Sequence, residues 1–106
     1  MIQYILTIGL FDKDDMAQHF TTAEALELIQ NALISRFGLY AATLSTAWGV
    51  YRMAAGEVVR EPSIRVEIAT EKNIMGTIKA AVAYLKWALN QESIMVEVRH
   101  ADISFL

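Results

Sequence analysis

An α+β fold, a two-layer βαββαβ sandwich, is predicted by three observations: four runs of alternating apolar residues, two helical stripes between them, and a glycine turn joining the middle runs. Alternation at period two marks strands with one buried face, and recurrence at three and four marks helices with a buried stripe. Both periods occur within 106 residues. The expected domain organisation is a single domain spanning residues 1–106, long enough to bury one core without disulfide or metal staples.

The first run places Ile2, Tyr4, Leu6, Ile8 and Leu10 on one face, with Gln3, Ile5, Thr7, Gly9 and Phe11 on the other. Asp12-Lys13-Asp14-Asp15 ends it. Thr21-Thr22-Ala23-Glu24 then offers a capping box, in which a threonine hydroxyl accepts from an orphan N–H and a glutamate reciprocates. A helix is predicted from near Thr22, with Leu26, Ile29, Leu33 and Phe37 as its stripe and Gly38 free to take the left-handed position that ends it.

From Tyr40 to Tyr51 the even positions Tyr40, Ala42, Leu44, Trp48 and Val50 alternate with Ala41, Thr43, Ser45, Ala47 and Gly49, which predicts a second strand with Trp48 in the core. Ala54-Ala55-Gly56-Glu57 reads as the turn, and Ile64, Val66 and Ile68 mark the third strand. Pro62 has no N–H for a ladder, so a bulge or unpaired position is expected there.

Thr70 is positioned to cap a second helix with the stripe Ile74, Ile78, Ala81, Leu85 and Leu89, weakened early by Gly76 and ended by Asn90-Gln91; Tyr84 and Trp87 lie beside that stripe, partly exposed. The last run alternates Ile94, Val96 and Val98 with Met95, Glu97 and Arg99. Ala101, Ile103 and Phe105 continue in the opposite parity, so a bend near Arg99-His100 is expected. Two βαβ halves joined by a hairpin define the ferredoxin-like arrangement, an antiparallel sheet of order 4-1-3-2 with both helices on one face.

Composition narrows the function classes. A hydrophobic content of 55% excludes disorder, and nine basic against twelve acidic residues give a net charge of −3, without the electrostatic footprint of a nucleic-acid or anionic-lipid binder. Cysteine is absent, which removes thiolate nucleophiles and ligands. The apolar start MIQYILTIGL has no basic leader and is too short to span a bilayer, so a soluble, cytoplasmic protein is expected.

In this fold three sequence-distant segments meet at one end of the sheet: the Asp12–His19 loop, the hairpin, and the loop after the second helix. The candidate ligand site is therefore Arg60, Glu61, Gln91, Glu92 and His19, beside Asp12, Asp14 and Asp15. Arg60 with Glu61 or Glu92 suits either anion binding or a structural ion pair. The acidic loop lacks the glycine and closing glutamate of an EF-hand, so no metal is expected. There is no G-x-G-x-x-G or G-x-x-x-x-G-K, His19 and His100 have no triad spacing, and no cofactor is expected.

The helix-free face of the sheet is expected to show Gln3, Ile5, Thr7, Thr43, Ser45, Ala47, Arg65, Glu67, Met95, Glu97 and Arg99. It has too few aromatic residues for single-stranded RNA. Ile5 and Met95, exposed among small and oppositely charged side chains, suit a self-complementary dimer contact through Ile5, Thr7, Thr43, Arg65, Glu67, Met95 and Glu97.

Gly56-Glu57-Val58-Val59-Arg60-Glu61-Pro62-Ser63 and Asn90-Gln91-Glu92-Ser93-Ile94-Met95 resemble the best-marked segments of a bacterial family of small proteins of unknown function. In that family a turn glycine precedes an Arg-Glu pair and a Gln-Glu-Ser triplet closes the last helix. Trp48 and Ser104-Phe105 extend the resemblance, which covers Trp48 to Phe105; the export signal frequent in the family is not seen here. The family brings no activity, and the resemblance implies that Arg60, Glu61, Gln91 and Glu92 act together.

These readings favour a non-catalytic binding or assembly protein: a homo-oligomer that captures a small anionic ligand or a protein partner, of the kind a phage or mobile element uses for counter-defence. One alternative is a small enzyme at the same loop cluster, with His19 or Glu92 as general base and Arg60 holding an anion. The other is a structural subunit of a larger assembly.

Overall fold

A computed structural model describes residues 1–106. The elements are β1 (Ile2–Gly9), α1 (Thr22–Gln30), β2 (Thr43–Arg52), β3 (Val58–Thr70), α2 (Met75–Ala88) and β4 (Met95–His100). The sheet is antiparallel throughout, in the order β2-β3-β1-β4. This is the ferredoxin-like topology and strand order that the alternating runs predict. No helix is long and apolar enough to cross a membrane.

The core lies between the even face of the sheet and the helices. Tyr4, Leu6 and Ile8 of β1 and Ile64, Val66 and Ile68 of β3 pack against Ala25 and Ile29 of α1 and Ile78, Ala81 and Leu85 of α2. Each large aliphatic side chain buried there contributes about 1.5–3 kcal/mol of transfer free energy. The period-two and period-3.6 stripes therefore meet in one layer.

The capping box forms as read. Thr21 Oγ1 accepts from the Glu24 N–H at 3.1 Å, and the Glu24 carboxylate accepts from the Thr21 N–H at 2.9 Å. The Thr21 N–H, followed by the Thr21 hydroxyl, holds the Glu24 carboxyl below its ordinary range. The helix then widens into a π-helical segment, Asn31–Arg36, in which the Phe37 N–H reaches back to the Ala32 carbonyl at 2.9 Å. That register turns Arg36 and Phe37 toward α2, where the guanidinium lies 4.3 Å from the Tyr84 ring centroid and Phe37 meets Tyr84 edge-on. Gly38, at φ +68°, ends it.

Thr70 does not cap α2. β3 continues to Thr70, so the chain uses residues 71–74 to climb from the sheet to the helix layer, and the Thr70 hydroxyl donates to the Lys72 carbonyl instead. The orphan N–H groups at the start of α2 are met by the buried Tyr4 hydroxyl, which accepts from Ile74 at 2.9 Å, and by Asn73 Oδ1, which accepts from Met75 at 2.9 Å. Tyr4 thereby ties β1 to the helix it packs against.

Four further expectations are corrected. Pro62 causes no bulge: it stays in register opposite Trp48, and its carbonyl accepts from Leu10. A strand residue points its N and its carbonyl to the same side, so the missing donor falls where β1 ends and not in the β2 ladder. The bend near Arg99-His100 is absent because β4 stops at His100, and Ala101 pairs with the Met1 backbone in both directions.

Trp48 is 63% exposed despite sharing the core parity of Leu44. β1 ends at Gly9, opposite Ser63, so residues 48–52 and 58–62 project as a two-stranded ribbon beyond the third strand. Ile5, expected on an open surface, is 1% exposed. Its cross-strand neighbours are Glu67 and Glu97, tied to Arg65 and Arg99 at 3.0 and 2.8 Å. Met95 stays exposed, so a sheet-on-sheet contact through this face has lost one of its two apolar anchors.

Candidate functional site

Where the first strand leaves the sheet, both backbone groups of Phe11 are bound by side chains from distant segments. Its N–H donates to Glu61 Oε2 at 2.9 Å, and its carbonyl accepts from Gln91 Nε2 at 2.7 Å. Gln91, nearly buried, also donates to the Leu89 carbonyl at 3.2 Å. Glu61 comes from β3 and Gln91 from the turn after α2. The two residues thus bring the three segments together.

The Glu61 carboxylate lies directly over Gly9. A Cβ at residue 9 would collide with the Glu61 carboxylate, so only glycine admits the carboxylate at this place. Opposite Glu61 in the ladder is Gly49, whose missing side chain leaves room for the Ser63 hydroxyl. These small residues form the floor of a groove of about 370 Å³ on the helix-free face, with Tyr51, Lys13 and Glu92 among its walls. Desolvation, and then the nearby Glu61 charge, raise the Tyr51 hydroxyl above its ordinary pKa.

The first loop is held to this site by Asn90. Its backbone sits at φ +48°, the left-handed position that ends α2. Its side-chain amide donates to both Asp12 oxygens at 3.0 and 2.9 Å and to Asp14 at 2.8 Å, while its carbonyl accepts from the Lys13 N–H at 3.0 Å. The Asn90 bond is the leading cause that lowers the Asp12 carboxyl below its ordinary range, followed by the Asp14 N–H.

Of the five residues read as a ligand site, Glu61, Gln91 and Glu92 line the groove. Arg60 does not. Neighbouring strand residues face opposite ways, and the Arg60 guanidinium lies 5.2 Å from the Trp48 ring centroid on the other face of the ribbon. It forms no ion pair with Glu61 or Glu92. His19 bonds Asp15 at 2.6 Å on the exposed loop, outside the groove. Ligand atoms of Asp12, Asp15 and His19 fall within 4.8 Å of one another, and each is engaged by the loop's own hydrogen bonds.

Sequence reading missed Gly9, Gly49, Tyr51, Ser63 and Lys13 as groove residues. The available signal was two glycines inside strand patterns, Gly9 and Gly49, since strand glycine marks close approach of another group.

No family model matches the chain, and no curated protein matches its sequence. Among solved structures it is similar to a phage SAM lyase in complex with S-methyl-5′-thioadenosine, with a TM-score of 0.69 and 22% identity over 92% of this chain and 79% of that one. The apo state of a phage SAM lyase gives 0.72 and 23%, over 92% and 78%. CutA from Synechococcus elongatus gives 0.59 and 17%, over 94% and 76%. A DUF3240 family protein from Shewanella baltica gives 0.50 and 12%, over 97% of both chains. At these identities the shared property is the fold.

Proposed function

We propose that the Glu61 groove binds S-adenosylmethionine and that the protein cleaves it as a lyase. The observation that carries this reading is the acidic groove: Glu61 is pinned over Gly9 by the Phe11 N–H, and the other charged residues lining the groove are Glu92 and Lys13. With Arg60 on the opposite face, such a site favours a cation over the anion expected from sequence. S-adenosylmethionine is a sulfonium cation carrying an adenosyl group, and the groove falls in the size range of small-molecule sites, about 300–1,000 Å³. The likeness in fold to a phage SAM lyase supports this substrate.

Breaking the bond between sulfur and the methionyl γ-carbon leaves the electron pair on sulfur and releases S-methyl-5′-thioadenosine. As that bond breaks, the substrate's own carboxylate closes on the γ-carbon, or a base takes a β-proton while the β,γ double bond forms. Glu61 faces the sulfonium or takes that proton, and the Tyr51 hydroxyl donates to the substrate. Loss of the methyl donor would act on every methyl transfer in a cell, which is the form a mobile-element counter-defence role takes here.

The second reading is capture without turnover. It is favoured by the structural duty of Glu61 and Gln91, whose groups are committed to Phe11. Incubation of the purified protein with S-adenosylmethionine, followed by chromatography, separates the two. Release of S-methyl-5′-thioadenosine, abolished in Glu61→Gln, supports the lyase. Retention of unchanged ligand supports capture. No binding by calorimetry overturns both.

A further inference from the structure

The two outer edges of the sheet are unlike each other and fit each other. β2 is a ten-residue edge with no proline, no bulge and no charged side chain before Arg52. Such an edge is an open template for strand pairing, and proteins ordinarily blunt it with charge, proline or a bulge. Its outer half is the ribbon, about 17 Å long at ~3.3 Å per residue, with Trp48 and Val50 63% and 62% exposed and Val58 59% exposed beside them. A two-stranded ribbon whose apolar face carries only the Arg60 guanidinium over Trp48 is marginal in water. At the opposite edge, exposed Val96 and Val98 of β4 join Met75, Val82 and Ala83 of α2 in a largely apolar groove of about 400 Å³ that Lys79 and Lys86 also line.

We propose that these edges are the two halves of one contact, in which the ribbon of one copy of this chain lies along β4 of a second copy and seats Trp48 in the α2–β4 groove. The sheet then continues from one copy into the next. Face by face the apolar residues agree. On the helix side, Trp48 and Val50 come beside Val96 and Val98. On the other side, the small Ser45, Ala47 and Gly49 come beside Met95 and the Glu97–Arg99 ion pair, and β2 has no charge there to oppose either member. The contact joins different surfaces, so it propagates head to tail, and a discrete oligomer forms where the rotation between copies closes the ring. It stands independently of the ligand in the Glu61 groove.

The test uses the full chain and two substitutions at exposed positions, Trp48→Lys in the ribbon and Val98→Glu in the groove, with circular dichroism to verify folding. By light scattering, the wild type is expected to be a discrete oligomer and each variant a monomer. An equimolar mixture of the variants is expected to form a heterodimer, because Val98→Glu keeps an intact ribbon and Trp48→Lys an intact groove. In a Trp87→Phe background, which leaves Trp48 as the lone tryptophan, emission should move to shorter wavelength as concentration rises. A monomeric wild type, a folded variant that keeps the wild-type mass, a mixture that stays monomeric, or emission independent of concentration overturns the proposal.

Discussion

Glu61 occupies its position because residue 9 has no side chain, and this links a single Cβ to the groove's chemistry. Gly9→Ala would place a methyl group against the carboxylate and break its bond to the Phe11 N–H. It should cost about 1–3 kcal/mol in urea unfolding and weaken ligand binding by at least about tenfold, the equivalent of 1.4 kcal/mol, as read by calorimetry. Asn90 offers a second test, because it combines a left-handed backbone with a clamp on the acidic loop. Asn90→Gly loses only the clamp, whereas Asn90→Ala adds about 1–2 kcal/mol of backbone strain. Of the pair, the alanine variant should show the lower urea midpoint. Glu61, Gln91 and Glu92 were legible as a group because the topology sends their segments to one end. Arg60 was misplaced because a loop-level argument does not resolve which face of a strand a residue takes, and adjacent residues take opposite ones.

Among the elements, helix starts were read unevenly. The Thr21 capping box is local, and its two bonds lie within four residues of chain. The cap of α2 is long-range, since its acceptor is the Tyr4 hydroxyl, seventy residues away. Tyr4→Phe should therefore cost about 1–3 kcal/mol, the penalty for an unpaired N–H in a partly buried place, measurable by chemical denaturation. Acid stability belongs to this scale as well. The folded-state values of Glu24 and Asp12 are depressed, so the stability they contribute is present at neutral pH and is lost as pH falls through those values, below the ordinary carboxylate range. The sign follows because the unfolded chain takes up these protons first. Urea midpoints should fall between pH 7 and about pH 3, and by less in Asn90→Ala, which has already lost the leading cause of the Asp12 shift.

For the whole molecule, two-layer packing leaves one sheet face without helices, and the groove lies on that face. A ligand that binds only the folded chain raises its stability by RT ln(1 + [L]/Kd), about 2.7 kcal/mol at a hundredfold excess over Kd. S-adenosylmethionine or S-methyl-5′-thioadenosine should accordingly raise Tm in a concentration-dependent way, and Glu61→Gln should abolish the rise. An unchanged Tm across that range would remove both ligands from the site. The long axis of 45 Å against 26 and 24 Å reflects the projecting ribbon. Its Trp48 has core parity without core cover, because parity is a property of one strand and cover depends on where β1 and the helices end.

Element order, sheet order, the Thr21 cap, the left-handed end at Gly38 and the stop at Asn90-Gln91 follow from the sequence, because alternation, helical stripes and capping chemistry are set by residues near one another along the chain. Which surfaces are open was decided only in three dimensions. Ile5 is covered by ion-paired side chains of two neighbouring strands, Trp48 is uncovered by the shortness of β1, and Glu61 parts from Arg60 across the sheet. Burial depends on what the rest of the chain brings over a residue, and the groove and the ribbon both exist because of those long-range placements.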